Sequence, residues 1–258
     1  MDPVEVKSNK VFSGNRILTY HAIIAEKQKE LPPQWSPFHA VALPAFREQL
    51  DVLASQDWQV VPLHALEQPS TPRRSVVITF DDGGCSDLLA AQELQRRSMP
   101  AAFFVTWSRL GSSSFLNRSQ VAELGRQGFT IGSHGMTHAR FSDLSAQGLR
   151  DQLVGSRERL EGLVGQPVTA LALPFGAYNG AVVAAALAAG YRRILTSDFA
   201  LADSGKCVLP RLTISAQTTL EDFRALLGQN RIGIARRRVI NGIHRRFNRI
   251  RSITAGAL

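Results

Sequence analysis

Short apolar runs and longer amphipathic stretches alternate along most of the chain. Arg16 to Tyr20, Val60-Val61, Val76 to Phe80, Ala101 to Thr106, Phe129 to Ile131, Val168 to Leu173, Tyr191 to Thr196 and Val208 to Ile214 read as strands. They are short, rich in β-branched or aromatic residues, and mostly bounded by turn formers. Between them, Phe46, Leu50 and Leu53 recur at helical spacing in Pro44 to Gln56, with Pro44 suited to a first turn. Ser86 to Arg97 predicts a helix capped by Ser86, and Ser119 to Gln127 a short one. Ser145 to Val164 predicts a long amphipathic helix with Leu149, Leu153, Leu160 and Leu163 on one side. Ala181 to Ala189 is an alanine-rich helix ended by Gly190, and Thr219 to Leu227 the last core helix. Strands alternating with helices imply a parallel sheet, and their number and the chain length fit a single (β/α) barrel. No GxGxxG or phosphate-loop pattern supports a nucleotide-binding sheet.

The chemistry gathers where strands end, which in such barrels is the active face. The run Val76-Val77-Ile78-Thr79-Phe80 leads into Asp81-Asp82-Gly83-Gly84. Adjacent strand residues point in opposite directions, so two neighbouring acids share a job only if the backbone turns, and Gly83-Gly84 supplies a turn. Buried acids cost desolvation energy unless a cation or hydrogen bonds compensate. After Phe129 to Ile131 come His134 and His138, whose spacing sets both on one face of a helical turn. One Asp and two imidazoles make a three-ligand site for zinc, cobalt, nickel or iron, with positions left for water and substrate. The plainer reading of such a pair alone is two surface histidines. Cys85 reads as a small packing residue before the next helix, with a softer metal ligand as the alternative. The two cysteines form no disulfide framework.

Thr79-Phe80-Asp81-Asp82-Gly83, then Ser133-His134 with His138, then Leu173-Pro174-Phe175-Gly176-Ala177-Tyr178-Asn179 resemble the polysaccharide deacetylases, carbohydrate esterases with a NodB-type distorted (β/α) barrel. The opening Ile17-Leu18-Thr19-Tyr20-His21-Ala22-Ile23 looks like the leading strand of the subgroup that de-N-acetylates poly-N-acetylglucosamine. The resemblance runs from Arg16 to Ile214. It implies that Asp82, His134 and His138 are metal ligands, zinc first among the candidates, and that Asp81 is the general base. Pro174, Phe175, Gly176 and Tyr178 would line the substrate site. The family often places a base-orienting arginine two residues before the third-motif proline, where this chain has Ala172; Arg211 is the candidate substitute. The Leu-x-His that supplies the general acid in many relatives has no counterpart here, with only His244 following in the tail. The subgroup's permuted arrangement makes His21 the candidate acid. A core histidine bonded to backbone is the alternative. His39 and His64 receive no role.

Composition adds a partner question. The 258 residues are 44% hydrophobic and 20% charged, values of a soluble domain, yet carry a net charge of +9. Phosphate-rich partners are the physical options. Arg231 to Arg251 holds eight arginines and no acid, and Ile232, Val239, Ile243, Phe247 and Ile250 recur near helical spacing. A basic amphipathic helix of this kind suits an anionic membrane surface better than nucleic acid. The first residues lack a signal-peptide core, which predicts a cytoplasmic protein, peripheral at the inner membrane face. The expected organisation is an arm over 1–15, the catalytic domain over 16–228 and the basic tail over 229–258. The expected activity is metal-dependent removal of an N-acetyl or O-acetyl group from an N-acetylhexosamine glycan, possible carriers including a lipid. Competing readings are a catalytically silent carbohydrate- or nucleic-acid-binding barrel, and a deacetylase of a small non-sugar amide.

Overall fold

A computed structural model describes residues 15–25, 31–32, 35–56, 58–68, 71–72 and 74–228. The arm expected over 1–15, apart from Asn15, and the basic tail with His244 lie outside the described residues.

The chain begins its sheet with β1 (Arg16–Tyr20), followed by β2 (Ala22–Ile24), β3 (Ala40–Ala42), α1 (Leu43–Ser55) and β4 (Gln59–Val60). The central motif follows as β5 (Ser75–Phe80), α2 (Asp87–Arg96), β6 (Ala102–Val105), α3 (Arg118–Arg126) and β7 (Thr130–Ser133). Next come α4 (Ala146–Val164), β8 (Ala170–Ala172), α5 (Gly180–Ala188) and β9 (Arg193–Leu195). The described chain closes with β10 (Val208–Leu209), β11 (Leu212–Thr213) and α6 (Leu220–Leu227). Every pairing in the main sheet is parallel, in the order β10-β9-β8-β7-β6-β5-β1-β11, with β4 beside the start of β5. This curled parallel sheet flanked by helices is the expected (β/α) barrel, built as one domain.

Strand alternation divides the packing. Leu18, Tyr20, Ile78, Phe80, Phe103 and Val105 belong to the large cluster shared with the helices. Tyr20, Phe80 and Phe103 stack in series, with ring centroids 5.4 and 4.9 Å apart. Ile17, Val77, Ala102, Phe104, Ala170, Ala172, Leu195 and Leu209 form a second, smaller cluster on the other side of the strands. Along β5 the side chains that share Val77's direction are those of Thr79 and then Asp81.

Two local expectations change. Val208 to Ile214 is not one strand: Pro210, which has no N–H for a ladder, separates β10 from β11. β10 pairs with β9 at one end of the sheet and β11 with β1 at the other, so Pro210-Arg211 links the two edges. Ser86 does not cap α2 through its side chain; its hydroxyl accepts the Ile23 N–H at 3.3 Å and ties the helix to β2. The helix over Arg118–Arg126 is capped instead by a reciprocal pair, Asn117 and Gln120.

Gly132, inside β7, sets a steric limit just before His134. A Cβ there would come within 2.4 Å of the Phe104 ring. Gly132→Ala is expected to destabilise the protein by roughly 1–3 kcal/mol through overpacking. Urea unfolding of the two proteins checks this, and equal midpoints would show that the ring yields freely.

Candidate metal centre

Asp81 follows β5 and continues its alternation into the interior. Its N–H donates to the Tyr20 carbonyl at 3.0 Å, which locks the strand end. Arg211, completely buried, grips the Asp81 carboxylate with both arms: Nη1 to Oδ1 at 2.8 Å and Nη2 to Oδ2 at 2.6 Å. The guanidinium is itself fixed by Nε donating to the Thr196 carbonyl at 3.0 Å and Nη1 to the Thr79 hydroxyl at 3.2 Å. Burial pushes the Asp81 carboxyl up, but Arg211, helped by His134, outweighs it and holds the group below the usual carboxylate range. A fixed bidentate arginine keeps this acid ionised while leaving lone pairs for a proton. Ala172, where the family often has its arginine, makes no such contact; its carbonyl faces His134 Nδ1.

Asp82 faces a different set of groups because the backbone turns at Asp82 itself, one residue earlier than the glycines alone suggest. Its φ is +80° and that of Gly83 is +76°, both in the left-handed region. Asp82 Oδ1 lies 3.0 Å from His138 Nε2 and 3.5 Å from His134 Nε2. Burial raises the Asp82 carboxyl, and the His138 hydrogen bond with the charges of both histidines brings it far below the ordinary range.

The two histidines are not on a helical turn. They sit on a loop after β7, turned by Gly135 at φ +80° and by His138 at φ +61°. Left-handed residues break the helical path, so the pairing of the two rings comes from the loop's own shape. Gln152 on α4 holds that shape: its Oε1 accepts the Met136 and Thr137 N–H groups, each at 3.0 Å, and its Nε2 donates to the Thr137 hydroxyl at 2.8 Å. His134 Nδ1 lies 2.9 Å from the Ala172 carbonyl, which only accepts, so Nδ1 carries the hydrogen and Nε2 presents a lone pair. Burial, opposed by Asp81, pushes His134 down to about 4, so the ring is neutral near pH 7.

One ligand atom from each of Asp82, His134 and His138 lies within 4.8 Å of the other two. A carboxylate oxygen and two imidazole nitrogens, one with its tautomer set by a backbone carbonyl, fit a divalent ion of the zinc type. Cys85 is exposed and outside this group. Arg109, unremarked in the sequence, approaches Asp82 Oδ1 at 3.5 Å.

The remaining candidates line the rim. Pro174–Gly176 forms a turn after β8, with Phe175 at φ +59° and 54% exposed. Its ring meets the His138 ring edge at 4.7 Å, and Arg140 lies over it at 5.2 Å. A Cβ on Gly176 would come within 2.8 Å of Ser197, so the turn packs tightly there. The Tyr178 hydroxyl donates to Asp198 at 2.9 Å. His21 follows β1 on the same side, near enough for its charge to lower both Asp81 and Asp82. His64 is exposed on the turn Leu63–Glu67. Trp35 lies against the acidic turn, 3.3 Å from where a Gly84 Cβ would stand.

Comparison with known proteins now adds to this geometry. The family model described as polysaccharide deacetylase matches residues 68–194, which include Asp81, Asp82, both histidines and the Pro174 turn. Over those residues the chain carries a polysaccharide deacetylase domain. YxkH of Bacillus subtilis (strain 168), whose name places it among the polysaccharide deacetylases, is 27% identical over 219 residues, covering 82% of this chain and 75% of that one. A chitin deacetylase of Pestalotiopsis sp is 28% identical over 137 residues, covering 52% of this chain and 45% of that one. The crystal structure of a polysaccharide deacetylase from Bacillus cereus superposes with a TM-score of 0.75 at 23% identity, over 83% of this chain and 69% of that one. This last likeness speaks for the fold. As a polysaccharide deacetylase the chain is a hydrolase.

Asp87 is a cost carried beside the site. It is fully buried, and neither carboxylate oxygen has a hydrogen-bond partner among the described residues. Burial first, then the charges of Asp82 and Asp81, raise its carboxyl well above the usual value. A raised folded-state value stabilises below the unfolded value near 4, and that stability is lost as pH rises through the folded value. In metal-free protein, Asp87→Asn is expected to raise stability by roughly 1–3 kcal/mol at pH 8, the gain shrinking towards pH 4. Thermal melts across that range read the gap; a pH-independent difference would contradict the assignment. Gln152→Ala is expected to weaken zinc binding about 10- to 100-fold by freeing the histidine loop. Calorimetric titration measures this, and an unchanged affinity would show that Gln152 does not govern the ligands.

Proposed function

We propose that the chain is a divalent-metal-dependent deacetylase acting on the N-acetyl group of an N-acetylhexosamine-containing glycan. What carries this reading is the convergence of Asp82, His134 and His138 beside an Asp81 clamped by a buried arginine. Asp82, His134 and His138 would hold the ion, zinc by preference of the donor set. Bound there, the ion supplies positive charge that polarises the acetyl carbonyl and acidifies water.

The protein's own groups then divide the proton traffic. Asp81 removes a proton from the attacking water, and Arg211 keeps the carboxylate ionised and aimed. His21 gives a proton to the amine nitrogen as the C–N bond breaks, leaving acetate and a free amino sugar. Phe175 offers an exposed ring face to the sugar or acetyl group, with Pro174, Gly176 and Tyr178 shaping the wall. An ester in place of the amide would need less help from the acid, so O-deacetylation uses the same groups.

The proposal extends to a glycan carried on lipid at the inner face of a membrane, an element resting on the sequence of Arg231 to Arg251 alone. Among the described residues no helix is long and apolar enough to cross a membrane.

Amine release from penta-N-acetylchitopentaose by the zinc-loaded protein tests the activity. Chelation is expected to stop release and added zinc to restore it, and Asp81→Asn to lower kcat by roughly 100- to 10,000-fold. Release that ignores chelation, or an Asp81→Asn protein as fast as the wild type, would overturn the mechanism. No bound metal and no release would favour a silent binding barrel.

A further inference from the structure

His39 received no role from the sequence, yet its ring lies flat against His21. The two centroids are 4.2 Å apart and the planes differ by 10°. His21 follows β1, whereas His39 ends the short turn Pro37–His39 that leads into β3. β2 and β3 pair in parallel from Ala22 with Ala40 to Ile24 with Ala42, so the residue before each strand is one of the two histidines. The register therefore brings the rings together. On the far side, the Phe38 carbonyl accepts the Ala216 N–H at 2.9 Å, anchoring the turn to the segment after β11.

A histidine that moves a proton with one ring nitrogen is ordinarily held by a hydrogen bond at the other. His21 lacks that device. Its Nδ1 is buried and has no hydrogen-bond partner among the described residues. Ring rotation about χ2 is broad for histidine, so an unbonded ring needs another restraint. A parallel ring at stacking distance supplies one, since it blocks rotation out of the shared plane. We propose that His39 is a positioning residue, holding the His21 ring by stacking so that it faces the scissile bond. This rests on the reading of His21 as the general acid.

The restraint is one of shape, so it does not depend on the His39 nitrogens. A phenyl ring at the same position preserves it; a methyl group removes it. A structural role in the loop alone would lower kcat by the same factor whether or not His21 is present.

The test is a double-variant cycle on zinc-loaded full-length protein, with penta-N-acetylchitopentaose as the substrate and zinc content measured alongside. His39→Ala is expected to lower kcat roughly 10-fold with KM and zinc content within 2-fold, and His39→Phe to restore kcat to within about 3-fold. His21→Ala is expected to lose roughly 100-fold, and adding His39→Ala to it to cost nothing further, because His39 acts only through His21. The inference is overturned if His39→Ala leaves kcat unchanged, if the phenyl variant fails to rescue, or if the two losses multiply. Should His21→Ala retain full kcat, the assignment of the acid itself falls.

Discussion

The ion pair between Asp81 and Arg211 is the constraint on which the site depends. Both partners are buried, and two charges taken out of water cost several kcal/mol each before their attraction offsets it. That cost is tolerable here because every arm of the guanidinium has an acceptor: two carboxylate oxygens, the Thr79 hydroxyl and the Thr196 carbonyl. Arg211 stands at the break between β10 and β11, the place where the two ends of the sheet come together. The charge that fixes Asp81 therefore also joins the edges of the barrel. The family's more usual position for this arginine lies on another strand end, but the guanidinium reaches the same carboxylate.

With Asp81 committed to an arginine, its neighbour is left to face the two histidines. The division follows from backbone geometry. Asp81 extends the strand alternation inward, and the left-handed turn at Asp82 swings the next carboxylate toward the histidine loop. His138 and Phe175 also adopt positive φ, and such conformations persist in residues other than glycine only when their surroundings hold them. Here Gln152, the His134 bond to Ala172 and the packing of the Pro174 turn do the holding. Three of these left-handed residues, Asp82, His138 and Phe175, lie in loops after the strand ends, and the strands beneath them are regular.

Much of this was legible in the sequence, for identifiable reasons. Buried parallel strands are continuous apolar runs, so most strands of the main sheet and the α-helices announced themselves within a few residues, whereas β2 and β3 did not. The acids and histidines stood directly after such runs, at the strand ends where a barrel has its active face. The failures have a common cause. The histidine spacing imitates a helical turn, but Gly135 diverts the backbone. Ser86 looks like a cap until a strand 63 residues away takes its hydroxyl. Gln152 is one polar residue among many on α4, and His39 one histidine in a proline-rich loop. Each acquires its role from a distant partner, which no local pattern encodes.

Under the proposed function the two adjacent aspartates do separate work, Asp81 gripped by Arg211 and Asp82 serving as a metal ligand. Zinc titration of the wild type, Asp81→Asn and Asp82→Asn tests that division directly. The account predicts that Asp82→Asn weakens zinc binding at least 100-fold, the loss of a charged ligand, while Asp81→Asn binds within about 10-fold of the wild type. Equal affinities in all three, or a larger loss for Asp81→Asn than for Asp82→Asn, would contradict it.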